Sequence, residues 1–231
     1  MYKDEKEKMF AYNSTVICDK NNYILKHTTN PSNVHDSVAF YETYDNLKTN
    51  YEIDKIKYLA GDAAYITPHI CKTVLEDNIK FAIPYKRPMT KKDYFKKYEH
   101  IYNEYYDVYL CPNNKILERK GVNKDGYITY KACKKDCNSY QFKEKCTKME
   151  NKIILRHIWE KYKEIANDLR HHQDVKKVYK NRSSHIERVF ADGKEKFGLR
   201  KVLTRGKNRV NREFALIFAC MNLRKFTLHS Y

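Results

Sequence analysis

Two acidic residues in this sequence stand where metal-assisted chemistry would need them. Asp62 follows a short apolar run, residues 56–60, and sits in Gly61-Asp62-Ala63-Ala64-Tyr65, among small residues that let a ligand approach the backbone. A carboxylate oxygen there suits a hard cation such as magnesium. Taken alone, Asp62 reads first as a cap for the helix that follows, because Asp is a common cap. Glu187 has the company of Tyr179, Arg182, His185, Arg188 and Lys194, and Lys194, seven residues on, returns to the same helical face. With Ser184 as N-cap, Glu187 falls at the third helical position, where a capping box would explain it completely. The surrounding cations add a second reading, a metal site beside phosphates. A third constellation is sulfur: Cys111, Cys133, Cys137 and Cys146 have 21, three and eight residues between them. Four thiolates can close a tetrahedral zinc site. The spacing lacks two tight pairs, and small, partly buried free thiols are the other reading.

The elements that must position these residues begin with a hairpin. Residues 11–18 and 23–29 are rich in strand formers, and Asp19, Lys20, Asn21 and Asn22 between them are turn chemistry. Pro31, Ser32 and Asn33 break the chain before a helix over 37–47. A strand at 56–60, a helix over Pro68–Glu76 and a strand at 80–84 form a βαβ unit with a parallel pair. In such sheets functional residues gather at the carboxyl ends of strands, which is where Asp62 falls. Residues 86–150 lose apolar periodicity and are rich in Cys, Lys and Tyr, which marks an inserted subdomain. From Lys152 the spacing of Ile154, Ile158, Tyr162, Ile165 and Leu169 predicts a helix. A second helix begins near Ser184, and a last one over 208–228, with Val210, Phe214, Ile217 and Met221 on one face and Phe218 on another, should be largely buried. The expected division is 1–85 as the first part of an α/β core, 86–150 as the insertion, and 151–231 as the helical C-terminal part of that core.

Lys and Arg number 46 against 29 Asp and Glu among 231 residues, a formal charge of +17 spread along the whole chain. Such a balance points to a polyanionic partner. The longest apolar run, residues 214–221, is far too short to span a membrane, and residues 2–8 do not read as a signal segment. Both observations lead to the expectation of a cytoplasmic protein with no membrane partner, whose seven cysteines are thiols or metal ligands and not a disulfide framework. Tyr94, Tyr98, Tyr102, Tyr105 and Tyr106, interleaved with Lys91, Lys92, Lys96 and Lys97, either stack on bases or fill a small core.

Three segments, in order, carry a resemblance: Asn33-Val34-His35-Asp36-Ser37, Gly61-Asp62-Ala63-Ala64-Tyr65 and His185-Ile186-Glu187-Arg188-Val189-Phe190. Together they resemble insertion-sequence transposases with a DDE catalytic triad, most closely the IS1182 group, over residues 9–226. The related tyrosine, arginine, glutamate and lysine signature appears as Tyr179, Arg182, Glu187 and Lys194, with one extra residue between Arg182 and Glu187. The resemblance implies an RNase H-like mixed sheet and bacterial, nucleoid-associated DNA transposition. It implies magnesium, with manganese as substitute, held by Asp62 and Glu187. Tyr179, Arg182, Arg188 and Lys194 would contact DNA phosphates, and the partner would be double-stranded DNA at transposon ends, bound by a homodimer. Related transposases also carry a cysteine cluster in the insertion, which adds to the zinc reading of Cys111, Cys133, Cys137 and Cys146 and leaves free, partly buried thiols as the other.

In that family the first catalytic aspartate lies on the first, central strand, upstream of the hairpin. The chain is accordingly expected to lack that strand and one acid of the triad. Asp19 in the turn and Asp36 before the helix read as structural. No independent strand transfer is expected unless a separately encoded N-terminal segment completes the sheet. A non-catalytic DNA-binding transposase remnant is the alternative, and a ribonuclease or resolvase relative a third.

Overall fold

A computed structural model describes residues 2–4, 7–8 and 11–229. Met9, where the resemblance begins, lies outside these, as does part of the 2–8 run read for a signal segment. The chain divides into two units, Met1–Tyr85 with Ile165–Tyr231, and Lys86–Glu164.

The first unit opens with β1 (Tyr2–Asp4) paired antiparallel to β2 (Glu7–Lys8). The expected hairpin follows as β3 (Tyr12–Cys18) and β4 (Ile24–Pro31). Its turn is built by Asp19, whose Oδ1 accepts from the N–H groups of Asn21 at 2.9 Å and Tyr23 at 2.8 Å, and by Asn22 at a φ of 65°. Helix α1 (Asp36–Asn50) buries Ala39, Phe40, Thr43, Tyr44 and Leu47 along one face. Its cap is His35, whose ring accepts from the Ser37 N–H at 3.1 Å; Asp36 is the first helical residue. Strand β5 (Tyr58–Ala60), helix α2 (Pro68–Glu76) and strand β6 (Lys80–Ala82) make the expected βαβ unit, with β5 parallel to β6. Thr67 caps α2 and Pro68 starts it, so the helix begins where Thr-Pro chemistry dictates. Instead of one mixed sheet, β3–β4 and β5–β6 stand as separate pairs among the described residues.

The second unit is richer in strands than its composition suggests. β7 (Ile101–Asn103), β8 (Val108–Leu110), β9 (Ile116–Val122) and β10 (Tyr127–Ala132) are followed by short helices α3 (Lys134–Asn138) and α4 (Lys143–Cys146), then β11 (Ile153–His157). The five strands form one antiparallel sheet in the order β11-β10-β9-β8-β7. Asp125-Gly126, with Gly126 at a φ of 77°, is the hairpin signal that places β9 beside β10. The helix expected from Lys152 is a strand as far as His157. Ile154 and Arg156 point inward while Ile153 and Leu155 face out, and pairing with β10 rewards that alternation over the helical spacing. The core is Tyr109, Leu117, Tyr130 and Ala132, with Tyr102, Ile128 and Ile154 against it.

Helix α5 (Glu160–Leu169) leads back into the first unit, where α6 (Gln173–Arg182), a π turn at Ser183–Glu187, α7 (Arg188–Lys196) and α8 (Lys207–His229) follow. Val189 of α7 and Val210, Phe214, Phe218 and Met221 of α8 pack with Ile24 of β4. Gly193 lets the segment after α7 fold back onto that helix, since a Cβ there would stand 2.9 Å from Leu199 Cδ2. Asn222 docks α8 onto the hairpin: its Oδ1 accepts from the Ile24 N–H and its Nδ2 donates to the Ile24 carbonyl, both at 2.9 Å. The expectation that α8 is largely buried holds for one face only, because Leu216 and Leu223 lie on the solvent side. Among the described residues no helix is long and apolar enough to cross a membrane.

Candidate functional site

Asp62 is placed by the end of β5. The Gly61 N–H donates to the Ala82 carbonyl at 3.0 Å, which keeps the chain beside β6 for one residue more before Asp62 turns away. Its side chain accepts from the Ala64 N–H at 2.8 Å and caps a short 3-10 turn, Ala63–Tyr65. Asp62 is therefore a cap, though of this short turn and not of α2, which Thr67 caps. Nor does Gly61 leave room for a ligand: a Cβ there would stand 3.3 Å from both Phe81 and Tyr65 rings, so the space is filled from within. Tyr65 lies within electrostatic reach of Asp62 and of a second carboxylate, Asp36. Burial first, then the charges of Asp36 and Asp62, push its phenol up to about 12, against a hydrogen bond with Thr15. Asp36 accepts in turn from the Asn13 side chain of β3. Sequence reasoning assigned Asp36 to capping; its place beside Tyr65 comes from strand–helix packing that spacing does not show.

Glu187 reverses the comparison. A helix start at Ser184 would have made it a capping-box partner, but α6 continues through the π turn into α7 without a cap. The Ser184 hydroxyl donates back to the Asn181 carbonyl at 2.7 Å, and Glu187 is left with no capping duty. Its side chain is 61% exposed and lies 3.4 Å from Arg182 Nη2. Five residues separate the pair, which a regular helix would turn about 140° apart around its axis at 3.6 residues per turn. A π turn, bonded i to i+5, brings such residues back into line. Arg182 and Glu187 thus stay side by side across the widened turn in spite of the extra residue between them. The Arg182 guanidinium lies 5.8 Å from the centroid of Tyr179, so Tyr179, Arg182 and Glu187 form one row, with Arg188 and Lys194 exposed beyond it.

Two long-range tethers hold this segment. His185 Nδ1 pairs with Asn22 Oδ1 of the hairpin turn at 2.8 Å. Asp174, near the start of α6, accepts from Tyr58 Oη at 2.8 Å and Lys80 Nζ at 2.6 Å, the first residues of β5 and β6. Those bonds hold the Asp174 carboxyl well below the usual carboxylate range. Helix α6 therefore starts at the amino ends of both strands, and Asp62 follows the carboxyl end of one of them.

In the second unit, Cys111, Cys137 and Cys146 line one cavity of about 20 Å³ together with Tyr140 and Lys152. Burial, then the neighbouring Cys111 and Cys137, pushes the Cys146 thiol up, against the opposing charge of Lys152. Cys133, one helical turn before Cys137, is exposed and lines a neighbouring groove instead. Three of the four expected sulfurs therefore share a space and the fourth stands outside it. Among the described residues no group of three or more His, Cys, Asp or Glu side chains is arranged to hold a metal ion. For a hard cation, Asp62 and Glu187 supply the right oxygen donors, and magnesium is commonly held by only one or two carboxylates with waters completing its shell.

A family model described as a transposase DDE domain matches residues 110–227. The match takes in Tyr179, Arg182, Glu187, Lys194 and the four insertion cysteines, while Asp62 falls outside it. No curated protein and no solved structure matches the chain.

Proposed function

The chain belongs to the transposase DDE domain family, and from that membership we propose that it works in DNA transposition as an IS1182-like transposase with an RNase H-like core. The observation that carries the reading is the π turn. It frees Glu187 from capping, exposes it, and keeps Arg182 beside it in spite of the extra residue. π turns recur at functional sites because the local widening aims a side chain that a regular helix would turn away.

The roles we propose rest on residue chemistry and on membership of the family. Asp62 and Glu187 would hold magnesium, or manganese in its place, which when bound supplies charge neutralisation and an activated nucleophile during phosphoryl transfer. The Arg182–Glu187 pair is a surface ion pair, worth about 0–1 kcal/mol, so Arg182 can exchange its carboxylate for a DNA phosphate at little cost. A planar guanidinium is suited to that exchange because it grips phosphate in two places at once. Tyr179 backs the guanidinium, and Arg188 and Lys194, both exposed on α7, would contact the backbone of double-stranded DNA as a homodimer engages transposon ends. The cytoplasm, at the nucleoid, is where such a protein would act.

The experiment is nicking of a supercoiled plasmid carrying the DNA that flanks the gene for this chain, with magnesium or manganese, by the chain alone and beside a separately supplied N-terminal segment, with nicking expected in the second case only. Glu187→Gln should abolish nicking while duplex binding persists. Arg182→Ala should weaken both. Binding with no nicking by the unaltered chain, even beside a separately supplied N-terminal segment, would leave a non-catalytic DNA-binding remnant.

A further inference from the structure

We propose that the turn at residues 104–107, between β7 and β8, is a stacking wedge for unpaired DNA bases, with Tyr105 and Tyr106 as its two faces. The inference rests on the reading of the chain as a DNA-handling transposase and names a contact that reading does not include. Of the insertion tyrosines, Tyr102 joins the core whereas Tyr105 and Tyr106 are 87% and 70% exposed. Their rings meet edge to face, with centroids 4.8 Å apart and planes at 87°. Hairpin tips ordinarily carry Gly, Asn, Asp or Ser, whose conformations suit a tight turn and whose side chains lose nothing in water. Two adjacent tyrosines at the centre of such a turn contribute little to the fold.

What surrounds them holds the turn rigid. Asp107, at a φ of 50°, accepts from Tyr102 Oη at 2.9 Å, from Tyr130 Oη and from Arg119 Nη1 at 3.1 Å. Arg156 lies 4.0 Å over the Tyr102 ring, fixing that donor from behind. On the other side Glu104 pairs with Lys161 at 2.9 Å, and Asn103 Oδ1 accepts from the Tyr106 N–H at 3.1 Å. The Asp107 end of the turn is braced through core tyrosines and the other end by the Asn103 side chain, the exposed Glu104–Lys161 pair adding little, and Tyr105 and Tyr106 project into water. Rigid, pre-ordered aromatic rings lose little entropy when they meet a flat partner. Both carboxylates at the turn are matched by cations, Glu104 by Lys161 and Asp107 by Arg119, so no bare negative charge repels a phosphate backbone.

The chemistry selects the occupant. A chain with a formal charge of +17 attracts nucleic acid, and proteins that hold single strands combine basic surfaces with aromatic rings on which bases stack. Paired bases in a duplex present only their edges in the grooves, so the rings would find a base face where strands have parted, as at an opened DNA end.

The test uses the full chain and three proteins: unaltered, Tyr105→Ala/Tyr106→Ala and Tyr105→Phe/Tyr106→Phe. The probes are a single-stranded oligonucleotide carrying 2-aminopurine and the blunt duplex of the same sequence. The unaltered and phenylalanine proteins should quench 2-aminopurine in the single strand. The alanine protein should lose quenching and bind that strand roughly five- to a hundredfold more weakly for each base unstacked. Duplex affinity should stay the same in all three. Equal single-strand binding by the alanine protein, with duplex binding intact, would overturn the wedge and leave the transposase reading standing. Equal weakness of the phenylalanine protein would show hydroxyl bonding and also overturn it, as would an altered oligomeric state with unaltered single-strand binding, which would mark a contact between protein copies. Failure of the unaltered chain to bind either DNA would overturn the functional reading and the wedge together.

Discussion

The two units of this chain reach order by different routes. In Lys86–Glu164 the five strands pair with their neighbours in sequence, and the tyrosine core is closed by Asp107 of the β7–β8 turn and by Arg156 of β11, which reaches across the sheet to Tyr109 of β8. In the other unit β3–β4 and β5–β6 remain separate pairs, and order comes from distant partners: Asn222 on Ile24, His185 on Asn22, Tyr58 and Lys80 on Asp174. The proposed chemistry lies in the second kind of unit. Of the two carboxylates there, Asp62 is positioned by its own turn and Glu187 by a helix irregularity held by a far-off contact, whereas the meander supplies a scaffold of neighbouring strands.

If the units are that distinct, a core lesion in one should leave the other intact. Phe218→Ala empties a buried site between α8 and β4 and should destabilise its unit by roughly 3–5 kcal/mol. Hydrogen exchange should then accelerate in β3, β4, α7 and α8 while β9 and β10 keep their protection. Leu117→Ala, at roughly 2–5 kcal/mol, should do the reverse. Simultaneous loss of protection in both units from either variant would break the comparison.

Acid sensitivity sharpens it at smaller amplitude. Burial raises the Glu160 carboxyl, but bonds from Lys97 at 2.8 Å and Lys163 at 3.1 Å outweigh it and hold the group below its ordinary value. A carboxyl depressed in the folded state adds stability that is fully present above its unfolded pKa of about 4.3 and is lost as pH falls through the folded value. Glu160→Gln should therefore lower stability at neutral pH by roughly 1–2 kcal/mol and flatten the decline below about pH 4. Asp174, depressed by Lys80 and Tyr58 in the other unit, should show the same sign with a smaller change in Asp174→Asn, because solvent screens it. A stability curve that rises on acidification would contradict both assignments.

The smallest effects are in thiol reactivity. Cys133 should react quickly with a disulfide reagent in the native state, and Cys146 slowly, because its thiol is buried and pushed up. Protection of Cys133 that a chelator releases would instead show zinc drawing all four sulfurs of the insertion together. Metal analysis of protein purified without added zinc, with half an equivalent as the dividing line, would agree with whichever pattern is found.

Much of the first unit was legible because its signals are local. Asp19 and Asn22 build the hairpin turn, Thr67 and Pro68 start α2 at the expected residue, and Asp62 caps the turn after β5 as its residue type suggests. The insertion was less legible. Short strands such as Ile101–Asn103 and Val108–Leu110 carry too few residues for a period to emerge. The run from Ile153 fitted a helix by spacing, and its pairing with β10, a contact between distant residues, made it a strand.

Residue types and order alone therefore determined the cationic character of the chain, the hairpin and βαβ elements, and the two carboxylates set among small or basic neighbours. Tertiary structure decided what each carboxylate is free to do. Asp62 is engaged by its own turn, a bond between residues two apart, which any reading of caps anticipates. Glu187 depends on a helix that widens at Ser183–Glu187 while His185 is held to Asn22, a partner 163 residues away. A helix boundary is written in nearby side chains, but a π turn inside a continuous helix is settled by what the helix packs against.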